Sequence, residues 1–160
     1  MMRGGLIYAA LALLALLTGP GAVVGQELPF SMRATDACLA DKGRREVAAN
    51  CIGVSAELCI SKTTGSYAMA GCYAYELERW DSRLNSVYAR LMAQEKAIGR
   101  AQALRNKERA WIKSRDRLCD YHDFYEQWGG GTGTNGAYTE CLMQMTGKQT
   151  LALRDLLRGD

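Results

Sequence analysis

Helical spacing, not strand alternation, organises the apolar positions of this chain. Tyr73, Leu77, Trp80, Leu84, Val87 and Leu91 recur at steps of four and three, which places them on one stripe of a helix. The spacing predicts a helix over about 67–96, with Ser66 as its N-cap. A second helix is expected over about 100–127, with Leu104, Trp111, Ile112, Leu118 and Tyr125 as its apolar side. Gly99 marks the turn between them, since glycine tolerates the left-handed conformation that ends a helix. So short a link predicts an antiparallel hairpin; one unbroken helix is the alternative. Leu142, Met145, Leu153 and Leu156 predict a third helix over about 138–157, and the glycine-rich stretch Trp128–Gly136 reads as the loop before it. Thr35–Asn50 and Val54–Ser61 each suit a short helix, with the charged patch Asp41–Glu46 exposed. The expected fold is all-α: a small bundle of a helical hairpin plus a third helix.

The front of the chain reads differently. Arg3 precedes an apolar run from Leu6 to Leu17 that Thr18, Gly19 and Pro20 break, and Val23 and Gly25 sit at −3 and −1 from a cut ahead of Gln26. This is the layout of a cleavable signal peptide over residues 1–25, too short for a permanent anchor. No cysteine lies near the cut, which argues against a lipid anchor. The expected location is the periplasm or the exterior. Residues 26–66 then form a cysteine-containing N-terminal segment, and 67–160 the helical domain.

Cleavage leaves 135 of 160 residues and lowers the formal charge from +3 to +2. Basic and acidic residues are interleaved, so neither a nucleic acid nor an anionic membrane is an expected partner. All six cysteines, Cys38, Cys51, Cys59, Cys72, Cys119 and Cys141, lie in the mature part. An even number in an exported chain reads as three disulfides. No tight Cys-x-x-Cys pair or Cys/His cluster points to a metal, and no cofactor is expected.

The hairpin gives a register. If it turns near Ile98–Gly99, position i faces about 197 − i at equal helical rise. Asp81 then lies near Arg115 and Asn85 opposite Ile112, which predicts a buried Asp81–Arg115 ion pair beside Trp80 and Trp111. Cys119 falls about six residues, or ~9 Å, from Cys72, too far for a disulfide. Cys119 is therefore expected to join Cys141. Of the three pairings open to the other four cysteines, Cys59–Cys72 with Cys38–Cys51 is favoured.

Little catalytic chemistry stands out. His122, the only histidine, follows Cys119, but an oxidised cysteine is no nucleophile, so a surface histidine is the preferred reading. Gly131–Gly136 matches G-x-G-x-x-G in letters only, because no strand precedes it. Glu76, Glu78, Asp81, Glu108 and Asp116 all fall on helices and are expected on solvated faces. Trp80, Trp111 and Tyr88 are expected in the core. Trp128, bordering the glycine loop with Tyr125 and Tyr138 nearby, suits an interface anchor, and the loop would present Thr132, Thr134 and Asn135.

Three blocks carry a resemblance. Glu76-Leu77, Trp80-Asp81, Leu84-Asn85 and Tyr88 form the first; Glu108-Arg109-Ala110-Trp111-Ile112, Arg115-Asp116 and Cys119 the second; Gly129-Gly130, Cys141, Thr146 and Leu153 the third. Together they resemble the LprI-type lysozyme-inhibitor family of exported bacterial domains, over roughly Cys72 to Leu157. The family pattern usually has Gln where Glu108 stands and Arg near Lys148. The resemblance implies a binding protein, not an enzyme, whose partner is lysozyme or another cell-wall hydrolase. A structural or stress-related envelope module is the alternative, and a cell-wall-acting enzyme the remotest reading. The matched residues Trp80, Asp81, Asn85, Tyr88, Trp111, Arg115 and Asp116 read as scaffold. Animal-type lysozymes are strongly basic, so a mature charge of +2 offers no long-range attraction; a local acidic face or an inserted loop is needed. Trp128–Gly136 is the candidate, with Asp120, Asp123 and Glu126 just before it. Oligomeric state is not encoded in any pattern found.

Overall fold

A computed structural model describes residues 27–41 and 48–157; the signal-peptide reading and most of the Asp41–Glu46 patch lie outside them. The described residues are helical throughout, with no strand: α1 (Arg33–Asp41), a 3-10 turn (Ala49–Cys51), α2 (Val54–Ile60), α3 (Ser66–Ala97), α4 (Ala101–Leu118), α5 (Tyr121–Trp128) and α6 (Gly131–Arg154).

The 32-residue α3 is the spine, about 48 Å long at helical rise. Its stripe faces inward as the spacing requires: Tyr73, Trp80, Leu84 and Leu91 are buried. Gly99, with φ +72°, turns the chain into α4. The chain then returns in α6, which runs parallel to α3 and packs along it. Ser66 bonds Thr132 at one end, Thr150 Oγ1 donates to the Trp80 carbonyl in the middle (3.3 Å), and Leu84 and Leu91 meet Leu153 and Leu157 at the other end.

The buried face of α6 is not the Leu142–Met145–Leu153–Leu156 stripe. Leu142 and Met145 are half-buried and Leu156 is exposed. The contact is made by Thr134, Gly136, Met143, Thr146, Gly147, Thr150, Leu151 and Leu153. Small residues allow a close approach: a Cβ at Gly147 would lie 2.8 Å from Ile52 Cγ2. Apolar periodicity does not register threonine and glycine, so of the expected stripe only Leu153 lies on the buried face.

Two further breaks depart from the expected elements. The second helix ends at Leu118, and a new one begins at Tyr121. Asp120 is extended there and its side chain accepts from His122 N (2.8 Å), an N-cap that stops one helix and starts the next. The Trp128–Gly136 stretch is a turn only at its beginning. Gly129, Gly130 and Gly131 have φ of +72°, +83° and +79°, and α6 is helical from Gly131. Glycine costs about 1 kcal/mol in a helix; packing overrides it, because Gly136 sits against Met69 and Tyr121 Oη donates to Asn135 Oδ1 (3.0 Å).

Three disulfides join Cys38–Cys51, Cys59–Cys72 and Cys119–Cys141; the register predicts the last, and the first two are the pairing favoured among the three left open. The first joins α1 to the 3-10 turn, and the second fastens α2 to the first half of α3. Glu76 completes this cap and is no solvated acid: it is fully buried. Its Oε1 accepts from Thr35 Oγ1 (3.0 Å), Gly53 N (2.8 Å) and Trp80 Nε1 (3.0 Å), and its Oε2 from Ala56 N (2.7 Å). α2 has no side-chain cap of its own. A carboxylate from α3 therefore serves the unpaired N–H groups at its positive end. Ser55 N bonds Thr35 Oγ1 (3.0 Å) and Thr35 N bonds Ser55 Oγ (2.9 Å), closing the network.

Candidate functional site

Two surfaces carry the chemistry, and the second helical arm supplies both. The first is α5. Its eight residues hold Trp128, Tyr125 and Tyr121 at 58, 51 and 43 % exposure, and Leu118 just before it is 60 % exposed. Asp120, Asp123 and Glu126 are exposed on the same short segment, which contains no Lys or Arg. Tyr121, Tyr125 and Trp128, spaced i, i+4 and i+7, share one side of this helix, and Asp123 and Glu126 lie on the other side.

This face is held rigidly. The Cys119–Cys141 bridge fastens its N-terminal side to α6. Tyr121 packs edge-on against Tyr138, with ring centroids 5.4 Å apart. At the far end Gly129 adopts the left-handed conformation, and Gly130 lies so close beneath the Tyr125 ring that a Cβ would stand 2.7 Å from it. His122 is at the surface, 3.2 Å from Glu126 one turn on, as the preferred reading had it.

Of the residues expected in the glycine loop, Trp128 alone keeps a free surface role. Thr134 is fully buried, Thr132 is half-buried and bonded to Ser66, and Asn135 is exposed but engaged by Tyr121. The helix that replaces the loop turns Thr134 inward, so it cannot touch a partner.

The second surface is an open groove of about 300 Å³ between α3 and α4. Asp81, Asn85, Tyr88, Glu108, Trp111 and Arg115 line it, all residues of the blocks quoted above. Trp80 is core, at 1 % exposure, but Trp111 and Tyr88 are half-buried and present edges to the groove. Both also pack against the Leu84, Leu91, Leu104, Leu153 and Leu157 cluster, so they lie at the edge of the core and line the groove as well. The register brings Asp81 and Arg115 to the same groove, yet the expected ion pair does not form. Asp81 accepts from Asn85 Nδ2 (3.1 Å). Arg115 stacks over Trp111, 5.2 Å from its centroid, and bonds Asp116 Oδ1 through Nε (3.0 Å) and Nη2 (2.7 Å). Partners on its own helix hold the guanidinium without bringing either charge out of water.

Glu108 is the buried acid of the groove, 8 % exposed, against the expectation of a solvated face. Gln149 of α6 donates to its Oε2 (2.8 Å). Burial raises its pKa above the ordinary carboxylate value, against the lowering effects of the Gln149 bond and the Arg115 charge. A second buried titratable side chain, Tyr73, lies at the α2–α3–α6 junction. Tyr73 Oη donates to Glu57 Oε1 (2.8 Å); burial, followed by its acidic neighbours Glu57 and Glu140, raises the phenol's pKa. Glu140 is also raised, by burial first and by Glu57 second. Among the described residues no group of three or more His, Cys, Asp or Glu side chains is arranged to hold a metal, and no helix is long and apolar enough to cross a membrane.

Sequence reasoning passed over Asp120 as a helix breaker and Glu76 and Glu108 as buried acids. Asp120 carried a signal, an N-cap residue followed three positions later by Asp123. Glu76 carried one only in company with Trp80, one turn away on the same face.

No curated relative and no solved structure matches the chain. The family described as Lysozyme inhibitor LprI matches it over residues 59–153, more than half of its 160 residues and beginning earlier than the blocks above indicated. The chain belongs to the LprI lysozyme-inhibitor family.

Proposed function

We propose that this is an exported binding protein that blocks a cell-wall hydrolase by stoichiometric contact through α5, without turnover. The observation that supports the reading is the exposed aromatic side of that helix, fastened in place and flanked by acidic residues of the same short segment. Tryptophan and tyrosine dominate interface energetics when they enter a partner's pocket. The disulfide, the Asp120 cap and the Tyr121–Tyr138 contact fix the helix beforehand, which lowers the ordering cost of association. Three carboxylates on the same short segment, Asp120, Asp123 and Glu126, supply the local negative field that a basic lysozyme would meet, despite the positive charge of the whole chain.

The test is cell-wall lysis by lysozyme titrated with the oxidised protein. Inhibition should be complete near one equivalent. It should be lost on Trp128→Ala and weakened by added salt. Absence of inhibition at large excess would reject the reading in favour of an envelope module with another partner.

A further inference from the structure

We propose that the α3–α4 groove is a binding site for an uncharged saccharide, an N-acetylated sugar unit in particular. At about 300 Å³ it stands at the lower end of small-ligand pockets, ~300–1,000 Å³. That is room for a small ligand, not for a folded segment. Its lining alternates apolar surface with donors and acceptors. Leu84, Ile112 and the Trp111 indole supply the apolar part, which suits the C–H faces of a sugar ring. Asp81 and Glu108 accept, Tyr88 and the Asn85 amide can do both, and Arg105, Arg109 and Arg115 donate.

The polar groups are held in place from outside the groove. Glu108 takes its Gln149 bond on Oε2. Arg115 is fixed by Asp116 and the Trp111 ring, and Arg105 by Gln102 (3.2 and 3.1 Å). Charge decides the ligand class. Three guanidinium groups stand against Asp81, Glu108 and the adjoining Asp116, so neither a strong anion nor a cation is selected. A neutral molecule with many hydroxyls and an amide matches that balance. The groove is separate from α5, so this inference does not depend on hydrolase inhibition.

The three tryptophans make the test site-specific. Trp111 lies in the groove, Trp80 is buried in the core and Trp128 is exposed on α5. Indole N–H resonances of the ¹⁵N-labelled oxidised protein are followed during titration with tri-N-acetylchitotriose, with N-acetylmuramic acid as the charged comparison. The Trp111 signal should shift and saturate while those of Trp80 and Trp128 stay. Asn85→Ala and Arg109→Ala, both exposed positions, should each weaken binding about tenfold with the Trp80 signal unmoved. The proposal is overturned if no indole signal moves, if only Trp128 moves, if the charged sugar binds more tightly, or if both variants bind as the parent does.

Discussion

The two halves of α3 meet very different neighbours. Its first half is clamped by α2 through the Cys59–Cys72 disulfide and by the buried Glu76 network, with α1 held to the adjoining 3-10 turn by Cys38–Cys51. Its second half faces α4 across an open groove, and the chain beyond α4 carries an exposed aromatic face held by one disulfide. A carboxylate whose bonds all come from protein can only support the fold. Aromatic and charged groups left at the surface, but held still, are available for recognition. The molecule thus separates a frame from a presenting arm, and substitutions in the two should have opposite signatures.

The largest effect is expected at Glu76. Glu76→Ala leaves two amides, a hydroxyl and an indole N–H without their acceptor in a dry interior. Such losses cost roughly 3–5 kcal/mol. Urea unfolding should show the midpoint collapse, and a loss below about 1 kcal/mol would contradict the framing role.

Removing the arm's staple comes next. The Cys119→Ser/Cys141→Ser double variant opens a link of 22 residues, worth about 3 kcal/mol in the chain-entropy model. Inhibition should fall further than stability alone explains, since α5 loses its fixed orientation. Full inhibition by a variant of lowered stability would show that the bridge serves the frame instead.

Two glycines of α6 sharpen the contrast at smaller scale. Gly147→Ala pushes a Cβ to within 2.8–2.9 Å of three Ile52 carbons and should destabilise by about 1–3 kcal/mol. Gly133→Ala meets nothing within 4 Å on the same helix and should stabilise by about 0.5–1 kcal/mol. Thermal unfolding of the pair measures both, and equal shifts would mean that the α6 contact is looser than described.

The smallest effect concerns pH. A carboxyl with a raised folded-state pKa binds its proton more tightly when folded, so stability declines as pH rises from the ordinary carboxylate value through the folded one. Glu108 and Glu140 both contribute in that direction. Glu108→Gln should flatten the decline between mildly acidic and neutral pH while keeping the hydrogen-bond capacity toward Gln149. An unchanged slope in urea midpoints across pH 4 to 7 would assign it to Glu140 or elsewhere.

Much of the frame was legible in the sequence because it depends on spacing. The α3 stripe, the Gly99 turn and the hairpin register followed from helical geometry, and the register carried the Cys119–Cys141 pairing with it, whereas the pairing of the other four cysteines stayed open. The rest was hidden for physical reasons. α6 packs with threonine and glycine, which apolar periodicity does not weigh. The glycine run reads as a loop locally, and only contacts with Met69 and Tyr121 make it helical. Glu76 and Glu108 are charged letters on helices, and their burial depends on elements that arrive from elsewhere in the chain. Arg115 did reach Asp81's groove, but nearer partners, Trp111 and Asp116, took its guanidinium. Of the candidate site, the exposure of Trp128 and its acidic neighbours was readable, whereas Thr134 was misplaced with the loop.

The most direct test of the division into frame and arm is calorimetric titration of lysozyme with the parent protein and with Trp128→Ala, paired with urea midpoints of both. The division requires a one-to-one complex with the parent, at least tenfold weaker binding by the variant, and unfolding free energies from the two urea curves that agree within about 0.5 kcal/mol. No complex with the parent, or equal binding by the variant, would contradict it.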